Sequence, residues 1–187
     1  MDWKKAAFPI FIVAILTLST FGVIIGGIDD TTNIITYNGR DYRANNQGWT
    51  TTIEGTNINF LYQPGELANA TNITPITLQQ LNQAEKIYLS ITPGEDYQAI
   101  GYYIETKLRP YLRPLVVLAC TKDNETCSNA PLKNCQNDAQ PGTTIILEVH
   151  NSTNNQITYN NNCLTIDIEP TQADYYIEAF LFKLLQL

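Results

Sequence analysis

Charge is scarce in this chain. Charged residues make up 16% of its 187 positions, and 18 acidic residues against 11 basic ones leave a formal net charge of −7. That balance argues against nucleic-acid binding, which needs a basic footprint. It argues equally against electrostatic docking on anionic lipid. Histidine is scarcer still: His150 stands alone, so no two-histidine metal site can form. The sequence has no Gly-x-Ser-x-Gly elbow to present a serine nucleophile. It has no Gly-x-x-x-x-Gly-Lys phosphate loop and no Cys-x-x-Cys pair for thioredoxin-type redox chemistry. No internal repeat is visible, and no linker is long enough to separate two independent domains. No cofactor is expected from this inventory.

Asn, Thr and Gln fill the space that charge leaves, and one long apolar run opens the chain. Residues 6–28 (AAFPIFIVAILTLSTFGVIIGGI) contain no charged side chain. A helix of that length, rising about 1.5 Å per residue, covers the roughly 30 Å hydrocarbon core with some tilt. Pro9 falls in the first turn, where its missing N–H is harmless. A cleaved signal peptide fits less well, because the run is too long and ends in Gly26-Gly27-Ile28-Asp29-Asp30, a poor cleavage site. Lys4 and Lys5 precede the run, and the positive-inside rule keeps them cytoplasmic. The expected layout is a cytoplasmic stub (residues 1–5), a transmembrane helix (6–28) and one extracytoplasmic domain (31–187). Gly22-x-x-x-Gly26 is a small-residue pattern that lets two such helices approach, a candidate contact for a homo-oligomer.

The four cysteines, Cys120, Cys127, Cys135 and Cys163, all fall in the exported part. An even number in an oxidising compartment favours two disulfides. Their spacings do not match zinc ligand pairs. Three pairings exist. Cys120–Cys127 with Cys135–Cys163 is preferred, since it closes one polar loop and ties the Pro/Gly/Asn-rich connection to the strand at Cys163. Pairing Cys120 with Cys163 is nearly as consistent. Four sequons, at Asn69, Asn72, Asn124 and Asn151, are candidate N-glycosylation sites on exported loops.

Periodicity gives the domain's outline. Residues 33–63 alternate with a period of two and carry an Asn38-Gly39 hairpin signal, which predicts an antiparallel meander. Thr77 is expected to cap a short helix, TLQQLNQAE. Lys86 to Thr92, a helix capped by Asp96 and stopped by Pro110, and Leu115 to Ala119 form a predicted βαβ unit. Leu115 to Ala119 is the most continuous apolar strand. Strands follow over Thr143 to Val149, Ile157 to Tyr159 (pairing back after a turn) and Cys163 to Ile168. In a last amphipathic helix Ala173, Tyr176, Ile177, Phe180, Leu181, Leu184 and Leu185 share one face. The expected fold is therefore α+β with a mixed sheet.

Candidate chemistry is thin. His150 reads as a solvated loop histidine. Pro93-Gly94-Glu95-Asp96 reads as a strand-end turn, since its two carboxylates would repel a phosphate. Glu95 with Asp96, and Asp167 with Glu169 on one strand face, are acid pairs of the kind used in glycoside hydrolysis or cation binding. Nothing in their spacing matches a calcium loop.

Several short motifs carry a family resemblance across most of the chain. They are Leu18-Ser19-Thr20-Phe21-Gly22, Ile35-Thr36-Tyr37-Asn38-Gly39, Phe60-Leu61-Tyr62-Gln63-Pro64 and Leu118-Ala119-Cys120. Pro131-Leu132-Lys133-Asn134-Cys135, Asn162-Cys163-Leu164 and Phe182-Lys183-Leu184-Leu185 complete the set. In this order they resemble a family of small, uncharacterised archaeal membrane-anchored proteins of reduced-genome lineages. The resemblance implies an exported domain in an archaeal envelope, with no catalytic residues to carry over. Separately, Lys5-Ala6 before the apolar run is similar to the processing site of archaeal type IV pilins. The acidic residue usual a few positions into a mature pilin helix is replaced here by Phe11 and Ile12.

The sequence thus points to a non-enzymatic module of the cell envelope, held in the bilayer by residues 6–28 and acting on envelope proteins. A pilin-like filament subunit and a surface hydrolase using paired carboxylates are the rivals. If the anchor reading holds, the native protein stays in the membrane pellet after alkaline carbonate washing and yields an intact N-terminal peptide by mass spectrometry. Peptides beginning at Ala7 would instead mark pilin-type processing.

Overall fold

The computed structural model describes residues 33–53, 55–74, 76–93, 95–138 and 143–187, with 95–98 and 126 described in backbone alone. The apolar run 6–28, Lys4, Lys5 and the Gly22/Gly26 pair lie outside the described residues. Among the described residues no helix is long and apolar enough to cross a membrane. The unit treated below runs from Ile35 to Leu187.

An antiparallel meander comes first: β1 (Ile34–Tyr37), β2 (Arg40–Asn45), β3 (Gly48–Ile53) and β4 (Thr56–Phe60), adjacent in chain order. Asn38 and Gly39 both take left-handed φ angles, 49° and 76°, as a two-residue type I′ turn requires. Gly48 is fixed by space as well as by its φ of +122°: a Cβ there would lie 2.1 Å from the Phe60 carbonyl oxygen. One face buries Tyr42, Thr51, Ile58 and Phe60. The other carries a polar ladder. Asn45 Nδ2 donates to Thr50 Oγ1 at 2.6 Å, and that hydroxyl donates to Asn59 Oδ1 at 2.6 Å. Such cross-strand pairs hold the register.

Two short helices follow, α1 (Pro64–Ala68) and α2 (Leu78–Asn82). The first was not legible as a helix from periodicity, being too short. Its signals were Pro64 at the first helical position and Glu66, whose Oε2 accepts the Gln63 N–H at 3.0 Å. In α2 Thr77 Oγ1 accepts the Gln80 N–H at 3.1 Å and Gln80 Oε1 accepts the Thr77 N–H at 2.8 Å, a reciprocal capping box. The expected helix ran on to Glu85, but the observed one ends at Asn82.

The second sheet is mixed, in the order β6 (Leu115–Cys120), β5 (Lys86–Ile91), β7 (Thr144–Asn151), β9 (Cys163–Ile168), β8 (Gln156–Asn160). The first four strands are parallel and β8 runs antiparallel to β9. Helix α3 (Glu95–Leu108) joins β5 to β6. It starts at Glu95, so Asp96 lies in its first turn and is not its cap. A three-residue 3₁₀ turn holding Pro110 ends it.

One strand expectation is corrected. Ile157 to Tyr159 does not pair back on β7, because β9 is inserted between them. Both β7 and β9 bury residues on both faces, whereas β8 alternates with exposed polar positions and suits an edge. The tight β8–β9 turn is Asn161-Asn162, with φ angles of 48° and 62°. The apolar run of β6 lies at an edge as well. It forms the opposite edge, with Leu115 57% and Leu118 50% exposed.

The last helix, α5 (Ala173–Leu184), is not buried along one face alone. Besides Ile177, Phe180, Leu181 and Leu184, it buries Glu178, Ala179 and Phe182. Phe182 meets Tyr37, Tyr42 and Phe60 of the meander, with ring centroids 6.0, 6.3 and 5.7 Å away. Ile177 and Leu181 join a core shared with Ile104 of α3 and with Leu147, Leu164 and Ile166 of the mixed sheet. Glu178 has no exposed surface. Its Oε1 accepts Lys107 Nζ at 2.7 Å and the Tyr103 hydroxyl at 3.2 Å, and its Oε2 accepts the Leu61 N–H at 2.7 Å. Burial, then the Glu178 charge, pushes the Tyr103 phenol far up, so it stays a donor.

Removing one partner of a buried ion pair costs about 3–5 kcal/mol, and Phe→Ala in a core costs a similar amount. Glu178→Ala and Phe182→Ala should therefore each lower the unfolding free energy by about that much, read from urea unfolding curves. A loss below about 1 kcal/mol, the scale of a surface substitution, would contradict this placement of α5.

Candidate functional site

Four parallel strands bring their carboxyl ends together, and the chain leaves β5 and β6 on opposite sides of the sheet. Helix α3 packs on the face that carries the core. Past Cys127 and Ala130, which stay on the core side, the residues from Lys133 to Asp138 cover the other face. There Lys133 offers its carbonyl to the Ser90 hydroxyl, and Cys135 gives its N–H to Glu148. Sheets of this kind bind ligands where successive connections part in this way, beyond the carboxyl ends of the strands.

The two disulfides organise this end. Cys120 pairs with Cys127 and Cys135 with Cys163, at Cα separations of 6.2 and 5.6 Å. This is the preferred pairing of the three the sequence allowed. Past Cys120 the chain folds back, and Leu132 bridges to it in parallel. The Cys120 N–H donates to the Pro131 carbonyl at 3.0 Å and the Lys133 N–H to the Cys120 carbonyl at 2.9 Å. The short helix α4 (Cys135–Asp138) then rests on β7. The Lys133 ammonium sits 2.7 Å from Asp138 and 5.7 Å from the centre of the Tyr88 ring. Its hydrogen bond, with the Asn134 N–H, holds the Asp138 carboxyl below its ordinary range.

On the core side lies an apolar cleft of about 330 Å³, lined among others by Ile91, Tyr102, Glu105, Leu118, Cys127 and Ala130. Its rim is open: Tyr102 is 71% and Leu118 50% exposed. The cleft exists because β6 is an edge strand and α3 covers it incompletely. Gly101 brings α3 close to the end of β5, where a Cβ would meet the tip of Ile91 at 2.1 Å.

On the outer side lies a polar cluster. A strand points alternate residues to one face, so Glu148 and His150 of β7 fall together, and register sets Asp167 of β9 opposite His150. Glu148 is buried: its Oε2 accepts the Cys135 N–H at 2.5 Å and its Oε1 lies 3.3 Å from His150 Nε2. Asp167 Oδ2 accepts Gln156 Nε2 at 3.1 Å. His150 is thus no solvated loop residue but the outer end of a carboxylate–imidazole pair. The hydrogen bond to Glu148 raises its pKa, against burial, with the Glu148 and Asp167 charges adding to the rise. Burial alone would push Glu148 up, but the His150 hydrogen bond, the Cys135 N–H and the His150 charge outweigh it and hold Glu148 below its ordinary range.

Sequence reasoning missed Glu148, although Glu-x-His at a strand period of two was the available signal. It also placed Asp167 and Glu169 on one strand face. The strand ends at Ile168, and the Glu169 N–H donates to Asn155 Oδ1 at 2.8 Å at the head of a 3₁₀ turn. The side chains of Glu95 and Asp96 lie outside the described residues. Among the described residues one trio, Cys135, Glu148 and Cys163, comes within metal-ligand reach of itself, but both sulfurs are joined in the disulfide. Asn69, Asn72, Asn124 and Asn151 are all exposed. Gly22 and Gly26 lie outside the described residues.

Comparison with protein-family models, with curated proteins and with solved structures gave no match for this chain.

The pair predicts a pH window. Glu148, lowered from 4.5, stabilises the fold above that value, and this contribution is lost as pH falls through its folded value. His150, raised from 6.5, stabilises below that value, and the contribution is lost as pH rises through its raised folded value. The thermal midpoint should therefore decline from its level near pH 6 toward about pH 8. In His150→Gln that alkaline decline should vanish; an unchanged profile in scanning calorimetry refutes the pairing.

Proposed function

We propose that the chain is an interaction module of the cell envelope, anchored by residues 6–28. Its docking site is the free edge of β6 together with the apolar cleft beside it. A partner protein presents an extended apolar segment there. Its backbone adds a strand along Leu115 to Leu118, and an apolar side chain enters the cleft between Tyr102 and Leu118.

One observation carries this reading: an edge strand of four consecutive apolar residues, two of them half exposed, that opens onto a cleft of about 330 Å³. Unpaired strand edges template added strands. Proteins ordinarily blunt such edges with charge or proline, and the run from Leu115 to Leu118 has neither. Among the described residues, each edge of the sheet carries one short bridge from the chain itself, Ile73 on Ile157 of β8 and Leu132 on Cys120 at the end of β6, so the uncovered stretch of the β6 edge is the apolar run before Cys120. A Tyr at an apolar rim is a typical anchor of a protein contact.

The sequence and the orientation of the anchor support an extracytoplasmic setting, and four exposed sequons agree with it. A photo-crosslinking residue placed at 118 in native membranes should give a discrete adduct with an envelope protein, lost when Tyr102→Ala and Leu115→Glu are introduced. The same probe at Thr52, on the polar face of the meander, should give none. Identical labelling from both positions would remove the β6 edge as the docking site.

A further inference from the structure

We infer that Cys135–Cys163 is a thiol–disulfide exchange site for cysteine-bearing exported polypeptides, with Glu148 and His150 as its proton relay. The two disulfides of this domain sit in opposite settings. Cys127 of the first is buried beside the apolar cleft, next to Leu118 and Ala130. The second forms the floor of an open polar groove of about 480 Å³ whose walls include Gln136, Thr158, Asn160 and Thr165.

Within that groove the two sulfurs are not equivalent. Cys135 is partly exposed, while Cys163 is 8% exposed and lies 3.5 Å from the Thr165 hydroxyl. An incoming thiolate therefore reaches Cys135 first. Each sulfur also lies within 4.8 Å of a Glu148 carboxylate oxygen. Glu148 is itself buried, and its other contact is His150, whose side chain is 37% exposed. Sulfur, carboxylate and imidazole thus lie in sequence across the outer sheet face, with the imidazole reaching solvent and the sulfurs within 4.8 Å of the carboxylate. Asp167, Lys133, Asp138 and Lys86 are the other charged groups on this face among the described residues; Lys133 and Asp138 are paired with each other, and Lys86 lies 5.6 Å from the centre of the Tyr88 ring. A disulfide that merely staples a loop has no use for a buried acid or for a proton path.

The chemistry balances with a dithiol polypeptide as reductant. Its thiolate attacks Cys135 Sγ, forming a mixed disulfide and breaking the Cys135–Cys163 bond. Cys163 leaves as a thiolate and takes a proton delivered from His150 through Glu148. The polypeptide's second thiolate then attacks its own sulfur in the mixed disulfide and releases Cys135, which is protonated from solvent. The polypeptide loses two electrons and two protons and gains a disulfide; the Cys135, Cys163 pair gains both as two thiols. A polypeptide disulfide runs the same steps in reverse.

The full chain in detergent micelles can be tested without denaturant, since Cys120–Cys127 serves as an internal reference. Treated with a reduced two-cysteine peptide and followed by alkylation and peptide mass spectrometry, Cys135–Cys163 should exchange about tenfold or more faster than Cys120–Cys127. Glu148→Gln should slow exchange at Cys135–Cys163 by at least about tenfold and flatten its pH–rate profile, with the Cys120–Cys127 rate unchanged. Cys163→Ser, treated instead with the same peptide in its disulfide form, should give a mixed disulfide at Cys135, as its thiolate attacks the peptide disulfide and releases one peptide thiolate. Equal rates at the two disulfides, or opening of Cys135–Cys163 in denaturant alone, would overturn the site in the wild-type protein, whatever the variants do. An unaltered pH–rate profile in folded Glu148→Gln would overturn the relay. Exchange with glutathione but not with the peptide would overturn the polypeptide as its substrate.

Discussion

A carboxylate with no exposed surface lies where three parts of the fold meet. Glu178 of α5 takes the ammonium of Lys107 and the phenol of Tyr103 from α3, and the backbone N–H that follows β4. A buried charge is costly unless it is paired and hydrogen-bonded. This one is satisfied by groups from both the meander and the mixed sheet's helix layer, so the arrangement is all or none. Without α5 in place, the Lys107 partner is lost and Phe60, Tyr42 and Tyr37 lose the Phe182 ring they pack on. Helix α5 is therefore the shared core of two sheets, which explains why it is apolar almost all round.

With one face of the mixed sheet committed to α3 and α5, the other face and the β6 edge before Cys120 are left for function. The Cys-rich segment uses that freedom. It is too polar to bury a core of its own, so it is tied down covalently and by backbone hydrogen bonds to β6, β5 and β7. Its first disulfide shapes the rim of an apolar cleft. Its second brings a partly exposed sulfur over a buried acid. Two neighbouring bonds of the same kind thus support different chemistry, because one looks onto leucine and alanine and the other onto a carboxylate–imidazole pair.

Much of this was legible in the chain. The meander followed from period-two alternation and from Asn38-Gly39, whose left-handed angles only small or Asn-type residues adopt cheaply. The capping box at Thr77 and the β5–α3–β6 unit were readable for the same local reasons. The preferred cysteine pairing followed from which loops were short and polar. Other features were hidden. Helix α1 is a single turn, too short for periodicity to register. The run LVVLA carries the same apolar signal at an edge as it would in the centre of a sheet. Glu148 and His150 were overlooked because a pair two residues apart gains meaning only once the strand's outer face is known to carry a disulfide.

Sequence by itself determined the local geometry, the α+β class and the sparse charge of the chain. These depend on backbone preferences, periodicity and composition, which act over a few residues or over the chain as a whole. Tertiary structure alone decided strand order, the insertion of β9 between β7 and β8, the burial of Glu178, Ala179 and Phe182 on α5 beyond its expected apolar face and the meeting of Glu148 with Cys135 and Cys163. Those outcomes depend on which apolar faces find one another across long stretches of chain. No short-range signal encodes that choice, because each face is satisfied equally well by any partner of matching shape and polarity.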